Sequence, residues 1–441
     1  MKNIMRIFSI LFAILTISTL VSCKKSEPDN PENDPFSNGG NERNVIVVIS
    51  DLHLGADLAY AECSKNLVAL ENFLEKVRKA PNVKELVIAG DLLDEWYVPA
   101  NVNTYQGKDQ ADFVRRIAQS NKGVVDVFNK IIQEKNITLT YVPGNHDLTI
   151  TAENVSLIFP GIQQARDNEQ GLGTYSPSGM TALAIEHGHR YNFFCAPDPY
   201  SNQDIAPGTI TPPGYFFTRI AALHHVQDCH AANDTMPELT QNTSGDPSQN
   251  LLFIYWKIWQ WAIKYLPIEN KFDENIIVTH VDGFTGTYSI NDLLPHQASA
   301  GSEIDVNLYR GIQDTWALRQ AYNHVPVNIP AQQAIANSAS TDESDNQAKI
   351  QYFLNPNSDK RIVIFGHTHD AKIIPSENLQ GQKTIYANSG TWIDNNNVDP
   401  TTMNFVVIQP QKADAASQTK IAVYHYQGEV VTKMAEDSLR L

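Results

Sequence analysis

Side chains that can bind metals stand directly after five short apolar runs of the sequence. Such runs are typical of strands buried on both faces, and layered α/β folds bind ligands beyond the carboxyl ends of these strands. The side chains concerned are Asp51, His53, Asp91, Asn145, His146, His187, His367 and His369. Carboxylate, imidazole and amide donors together suit Mn, Fe, Zn or Co, so the sequence predicts a site for divalent metals.

The elements that must position these side chains alternate between strands and helices. The apolar runs predict strands at 45–50, 85–90, 137–144, 181–186 and 361–366. Helical periodicity predicts helices over 64–79 and 109–135. The pattern indicates an α/β fold in which the polar residues meet at the ends of its strands.

The stretch 196–350 has a different composition, since it is rich in Asn, Pro, Gln and aromatic residues. We predict a mainly helical insertion there, with helices around 214–228 and 249–266 and a strand-like run at 275–280. The core is then expected in two parts, 44–195 and 351–441. Short strands within 384–431 are expected to close the sheet.

One feature of the insertion is open to two interpretations. Phe253, Trp256, Trp259 and Trp261 recur near helical spacing. Core packing is the first explanation of such a stripe. A lid over an apolar ligand, or contact with a membrane surface, is the alternative.

The polar residues form an ordered series of motifs: SDLHLG, GDLLDEW, GNHDL, EHGHRYN and GHTHDA. This series resembles the calcineurin-like metallophosphoesterase family, whose pattern is DxH, GDxxD, GNHD, a lone histidine and GHxH. YANSGTW at 386–392 resembles the segment that follows GHxH in many members. The resemblance covers about 45–195 and 355–395. It implies a four-layer α/β/β/α sandwich and a hydrolase that cleaves phosphoesters with two divalent metal ions.

The resemblance also implies how the two ions are held. Asp91 would bridge them, which a carboxylate can do with its two oxygens. One ion would be bound by Asp51, His53 and His369, and the other by Asn145, His187 and His367. A hydroxide activated by both ions would attack the phosphorus atom.

Three further motif residues have implied roles beside the metals. His146 would donate a proton to the leaving oxygen or stabilise charge in the transition state. Asp147 would hold the imidazole of His146 in its orientation, and Asp94 would support the site from outside the ligand shell.

The fourth motif leaves alternatives open, because EHGHRYN contains both His187 and His189. We favour His187 as the ligand, since it follows an apolar run directly, and His189 is then a substrate-facing or structural residue. His280, after the run NIIVT, is a rival. Arg190 could contact a phosphate or lie on the surface.

A subgroup resemblance bears on the substrate. SDLHLG, GDLLDEW and the long insertion also look like the UDP-2,3-diacylglucosamine pyrophosphatases, in which the insertion houses acyl chains. Those enzymes usually carry GNRD where this chain has GNHD, and they work on the cytoplasmic side. We therefore expect a small phosphomonoester, phosphodiester or pyrophosphate substrate without naming one.

The first residues are typical of an export signal. A basic start precedes an apolar stretch too short for a stable spanning helix, which predicts a signal peptide over 1–22. LVSC at 20–23 resembles the lipobox of bacterial lipoproteins, and this implies lipidation of Cys23. Residues 23–43, rich in Pro, Asn and Gly, are expected to form a flexible tether. The protein is thus expected outside the cytoplasm, anchored by lipid to the cell envelope.

Composition restricts the partners. The formal net charge is −16. General binding to nucleic-acid backbones needs clustered Lys and Arg, so we expect none. A nuclease is disfavoured for that reason but stays an alternative. A non-catalytic surface lipoprotein that binds a metal or another ligand is the second.

Overall fold

The computed structural model describes residues 34–167, 171–230, 236–340, 342–412 and 417–441. Contacts divide the chain into Met1–Asp34 and Pro35–Leu441, and the fold described here is that of Pro35–Leu441. The predicted signal peptide and Cys23 lie outside the described residues, so those predictions stay predictions.

The strands occur along the whole of this unit. In chain order they are β1 (Val45–Ile49), β2 (Val83–Ala89), β3 (Thr138–Val142), β4 (Gln163–Gln164), β5 (Leu183–Ile185), β6 (Ile277–Val278), β7 (Thr287–Tyr288), β8 (His296–Gln297), β9 (Ile304–Asp305), β10 (Ile362–Phe365), β11 (Lys372–Glu377), β12 (Lys383–Asn388), β13 (Asn404–Gln409), β14 (Thr419–Gln427) and β15 (Val430–Leu439).

The helices lie between these strands. They are α1 (Leu67–Lys79), α2 (Gln110–Ser120), α3 (Lys122–Glu134), α4 (Ala152–Ile158), α5 (Gly214–Gln227), α6 (Pro247–Tyr265), α7 (Ile290–Leu293), α8 (Ile312–Tyr322), α9 (Ala331–Asn337) and α10 (Glu343–Ala348), with a 3-10 turn at His189–Tyr191 and a π-helical turn at Lys349–Phe353. Within the described ranges, no helix combines the length and the apolar composition needed to cross a bilayer.

Two mixed sheets form the centre of the fold. The larger has the order β15-β14-β13-β1-β2-β3-β4, and the smaller has the order β11-β12-β10-β5. β1 to β4 are parallel to one another, as are β5, β10 and β12. The carboxyl ends of the parallel strands within each sheet therefore lie at one edge, where the predicted site residues follow.

The side chains of β1 show how the layers stack. Val45, Val47 and Ile49 pack in the core formed with helices α1 to α4. Ile46 and Val48 point the other way, into a core shared with β5, β10 and β12. Such alternation follows from the two-residue period of a strand.

The smaller sheet is covered on its outer face as well. There Val363 and Phe365 of β10 pack against Tyr352 and Phe353 of the π-helical turn. The order of layers is therefore helix, sheet, sheet, helix, and the predicted four-layer α/β/β/α sandwich is confirmed.

The predicted helix 109–135 is two helices that meet at Asn121. The backbone of Asn121 leaves the helical region, with φ −111° and ψ 33°. Its side-chain Nδ2 donates to the carbonyl of Gly55 at 2.8 Å. This tertiary hydrogen bond competes with helical hydrogen bonding at Asn121, and the spacing of apolar residues does not predict it.

The middle of the chain has a hydrophobic core of its own, built from α5, α6, α8 and α9 together with loop residues. Trp256 and Trp259 are buried in it, whereas Trp261 is 48% exposed. Core packing thus accounts for most of the aromatic stripe. The strand-like run 275–280 contributes only the short β6, which pairs with β7 and with neither main sheet.

The predicted tether 23–43 is too long. Phe36 is 1% exposed and packs against Phe73 and Phe405, with ring centroids 6.1 and 5.8 Å away. The side chain of Gln409 also donates to the carbonyl of Ser37 at 2.9 Å. One aromatic residue in a polar segment has no periodicity, so the sequence pattern could not place it in the core.

Candidate metal centre

The predicted site residues follow the carboxyl ends of five strands. Asp51, Asp91 and Asn145 come just after β1, β2 and β3 of the larger sheet. His187 and His367 come just after β5 and β10 of the smaller one. Contacts between the two sets show that both sheets supply one common site.

The backbone of the site is strained at five residues. Asp51, His53, Asp91, His367 and His369 have φ values of 55°, 47°, 50°, 71° and 58°. Left-handed backbone costs a residue other than glycine about 1–3 kcal/mol and persists only where the surroundings enforce it. Concentration of such residues among predicted metal ligands supports a functional reason for the strain.

The surroundings of Asp51 show what enforces this conformation. Its carbonyl accepts hydrogen bonds from Thr391 Oγ1 and from the amide of Trp392, both at 3.0 Å. Its carboxylate accepts one from Ser50 Oγ and contacts the amide of His367 at 3.1 and 3.2 Å. The segment YANSGTW thus supports the first motif directly.

Close packing explains two glycines of the motifs. A Cβ atom on Gly366 would lie 2.6 Å from Oδ2 of Asp51, and one on Gly144 would lie 2.1 Å from Oδ1 of Asp91. Gly366 does not have a positive φ, and His367 and His369 take the left-handed conformations themselves.

One group of donors surrounds Asp51. Nε2 of His369 lies 3.1 Å from Oδ1 of Asp51, and Nε2 of His53 lies 3.9 Å from the same oxygen and 3.7 Å from Oδ2 of Asp91. His53 is buried, and this Nε2 has no hydrogen-bond partner among the described residues. Its Nδ1 contacts Asp94 at 3.0 Å, so Nε2 is free to face a cation held by the two carboxylates. The donor set therefore fits a divalent ion.

A second group of donors surrounds His187. Its Nε2 lies 3.1 Å from Oδ2 of Asp91 and 3.0 Å from Oδ1 of Asn145. Its Nδ1 donates to the carbonyl of Ala89 at 2.8 Å, which fixes the ring. The ring of His367 lies nearby, with a centroid separation of 5.2 Å. Asp91 therefore lies between both groups, where a bridging carboxylate would have to be.

The pKa values of the site residues depend on burial and on the charges of their neighbours. Burial acts to raise the pKa of Asp91, but His187, His146 and His53 hold it well below its usual range. Burial alone would lower the pKa of His187, yet the charges of Asp91 and Asp51 raise it to about 9. Burial and the charge of His187 lower the pKa of His367 to about 3.

His146 faces the same centre without a place in either donor group. Its side chain is 12% exposed, and its Nδ1 lies 2.9 Å from Oδ1 of Asp94. Trp96 stacks on the ring at a centroid distance of 5.1 Å. Asp94 also accepts from Nδ1 of His53, so one carboxylate orients both imidazoles.

The predicted role of Asp147 is wrong. Its carboxylate accepts hydrogen bonds from the amides of Gly144, Leu92 and Leu93 at 2.7, 2.8 and 3.2 Å. These bonds fasten the second motif to the third. The carboxylate of Asp147 is thus taken up by backbone amides, and it is Asp94 that contacts Nδ1 of His146.

The remaining candidates are Arg190, His189 and His280, of which His189 lies beside the second donor group, with its ring centroid 5.3 Å from that of His187. Arg190 is buried, with Nε 2.8 Å from Glu186 and Nη2 2.7 Å from Asp167, so it is neither a surface residue nor turned to a substrate. His189 is also buried, and its Nε2 contacts the carbonyl of Gly171 at 3.0 Å. His280 is exposed and contacts Asn103 at 2.6 Å. The structure thus brings His187, and neither His189 nor His280, to Asp91.

Sequence reasoning missed two residues of the centre. Glu62 lies in the loop before α1, with Oε2 3.3 Å from Nδ1 of His53. Trp96 carries the stacking contact to His146. No periodic signal marks either position. The signals that could have identified them are the polar segment before α1, which contains Glu62, and the last residue of GDLLDEW, which is Trp96.

Comparison with known proteins gives a family match for part of the chain. Residues 45–207 match the model of the calcineurin-like phosphoesterase family. No curated protein matches the chain. Among solved structures, wild-type Vps29 from Entamoeba histolytica complexed with Zn²⁺ has 10% identity and a TM-score of 0.29, over 90% of this chain and 99% of that one. A single mutant of the same Vps29 has 11% identity and a TM-score of 0.27, over 90% and 100%.

A third solved structure is the nuclease MPE of Pseudomonas putida. It has 17% identity and a TM-score of 0.20, over 35% of this chain and 56% of that one. Structural likeness at this level carries no argument about activity. The family match rests on the sequence around the first four motifs, so residues 45–207 are similar to the calcineurin-like phosphoesterase family.

Proposed function

We propose that the protein is a metal-dependent hydrolase that cleaves phosphomonoester, phosphodiester or pyrophosphate bonds in small molecules. The observation that carries this proposal is the position of Asp91. Its Oδ2 lies 3.7 Å from Nε2 of His53 and 3.1 Å from Nε2 of His187, so it touches both donor groups. Two divalent ions, of Mn, Fe, Zn or Co, would be held by Asp51, His53 and His369 on one side and by Asn145, His187 and His367 on the other, with Asp91 shared.

The chemistry of such ions suits phosphoryl transfer. When bound, they polarise phosphoryl oxygens, neutralise developing charge and supply an activated water molecule. The buried walls around Asp51 and Asp91 exclude most bulk water, which strengthens each of these interactions. The chain's own part is to place the donors and to keep the site partly dry.

His146 is the proposed proton donor to the leaving oxygen. Only its ring edge is exposed, and Asp94 at Nδ1 leaves Nε2 to face the substrate. Burial acts to lower its pKa, but the charge of Asp94 outweighs this and raises it, so the imidazole can hold a proton near neutral pH. Trp96 limits the tilt of the ring by stacking on it.

We infer that the substrate is small and lies outside the cytoplasm. The net charge of −16 opposes general binding to a polyanionic backbone. The signal peptide 1–22 and the lipidation site Cys23 would anchor the protein to the envelope, on the periplasmic or the cell-surface face of the outer membrane. Loss of labelled-lipid incorporation in Cys23→Ala would support this anchor, and unchanged incorporation would refute it.

A substrate screen tests the proposed activity. The full chain is freed of metal with a chelator and reloaded separately with Mn, Fe, Zn or Co. Nucleotides, phospholipid headgroups, sugar phosphates and nucleotide sugars are then offered, with release of phosphate or phosphomonoester as the readout. Hydrolysis that depends on the added metal supports the proposal, and intact substrates under every metal contradict it.

A further inference from the structure

Glu62 is an acidic residue beside the metal centre that none of the sequence motifs contains. Its Oε2 lies 3.3 Å from Nδ1 of His53, and its side chain is 21% exposed. Asp94 lies 3.0 Å from the same nitrogen. Two carboxylates therefore face one ring nitrogen, Asp94 by a hydrogen bond and Glu62 by a longer ion-pair contact.

The loop that carries Glu62 is fastened at several points. The amide of Asp394 donates to the carbonyl of Glu62 at 2.8 Å. The carboxylate of Asp394 in turn accepts from the amides of Ser64, Lys65 and Asn66 at 2.9 to 3.1 Å. Asp394 follows the segment that supports Asp51, so the same piece of chain positions both residues. Glu62 is thus held at His53 by the fold.

Asp94 makes several hydrogen bonds to groups other than His53. Its Oδ1 contacts Nδ1 of His146 at 2.9 Å and accepts the amides of Trp96 and Tyr97 at 2.9 and 2.7 Å. Asp94 therefore serves two imidazoles and two backbone amides, and Glu62 adds a second carboxylate beside His53.

We propose that Glu62 is a positioning residue for metal binding, which faces Nδ1 of His53 beside Asp94 and keeps Nε2 of His53 turned toward Asp51 and Asp91. This inference rests on the metal centre of the proposed function. It does not require a particular substrate. Partners that orient metal-bound histidines typically contribute about 10–100-fold to metal affinity. With its longer contact, Glu62 is expected at the lower end.

The test is a calorimetric titration of the metal-free full chain with Mn²⁺. Glu62→Gln, which removes the charge with little change of shape, is expected to weaken Mn²⁺ binding about tenfold. Asp57→Asn is the matched control, since Asp57 is an exposed carboxylate of the same loop, and its affinity should stay that of the wild type. Equal affinities in the two variants, with both folded, would overturn the proposal.

A double-mutant comparison separates a shared role from an independent one. In the Asp94→Asn background Glu62 is the one remaining carboxylate at Nδ1, so Glu62→Gln should weaken Mn²⁺ binding more there than in the wild type. An equal loss in both backgrounds would show that the two carboxylates do not act together on His53 and would overturn the proposal. Both readouts are independent of turnover: Mn²⁺ binding without hydrolysis of any phosphoester would refute the proposed function alone.

Discussion

Nε2 of His369 lies 3.1 Å from Oδ1 of Asp51, although the two residues come from opposite ends of the two-sheet core. Asp51 follows β1 of the larger sheet, and His369 follows β10 of the smaller one. This contact closes the metal centre across the two sheets. A donor group built from both sheets exists only when they are packed together, so metal binding should depend on both ends of the chain.

Removal of His369 should therefore empty one side of the centre. In His369→Ala, we expect bound Mn to fall from about two ions per chain to about one, because Asp51 and His53 alone leave too few donors on that side. Metal content after gel filtration, measured by inductively coupled plasma mass spectrometry, gives the result. His280→Ala, which removes an exposed histidine outside the centre, should keep the wild-type content. Two ions retained in His369→Ala would remove His369 from the ligands.

The buried cation Arg190 should stabilise the fold. It lies between Glu186 and Asp167, and its removal leaves the buried Glu186 without its cation. We expect Arg190→Met to lower the free energy of unfolding by about 3–5 kcal/mol. Urea denaturation of the metal-free protein measures the change. Arg310→Met breaks an ion pair with Asp305 whose side chains are 68% and 49% exposed, and it should cost less than about 1 kcal/mol. Similar costs for both variants would show that Arg190 is not needed there.

The buried carboxyl of Glu343 should make stability depend on pH. Burial raises its pKa from 4.5 to about 7, and only Asn192 Nδ2, at 2.6 Å, lowers it in part. Between these two values the folded protein keeps a proton that the unfolded chain has released. The free energy of unfolding should therefore fall as the pH rises from 4.5 to 7, by up to about 3 kcal/mol.

Glu343→Gln tests this dependence, since glutamine keeps the shape and cannot ionise. The variant should match the wild type near pH 4.5 and exceed its stability at about pH 8, as measured by urea denaturation at both values. Asp342→Asn, at the exposed neighbouring position, should leave the pH profile of the wild type unchanged. A wild-type stability that rises between about pH 5 and 7 relative to Glu343→Gln would contradict the raised pKa.

Much of the site could be predicted from the sequence because the strands themselves order the donors. β1, β2, β3, β5 and β10 are mostly apolar runs. The polar residue that follows each run therefore lies at the carboxyl edge of its sheet. The contacts of His187 could not be predicted in the same way. Asp91 and Asn145 follow neighbouring strands, and only the packing of the second sheet brings the histidine to them.

What could not be predicted depends on contacts between distant segments. Phe36 enters the core through Phe73 and Phe405, and Asn121 leaves its helix to bond Gly55. Glu62 reaches His53 because Asp394 holds its loop. None of these contacts has a periodic signature. The error over Asp147 has a different origin: its proximity in sequence to His146 suggested a contact, but its carboxylate accepts from the amides of Gly144, Leu92 and Leu93 instead.

We propose that two donor groups joined by Asp91 hold the metal ions with which the protein hydrolyses phosphoesters, and that His146 is the proton donor. The most direct measurement is hydrolysis of bis-p-nitrophenyl phosphate and p-nitrophenyl phosphate by the Mn-loaded full chain, together with its metal content. We predict that Asp91→Ala loses both turnover and metal, whereas His146→Ala keeps its metal and loses about 10²–10⁴-fold in kcat. Tight Mn binding with no turnover of either ester in the wild type, or full turnover in Asp91→Ala, would contradict the account.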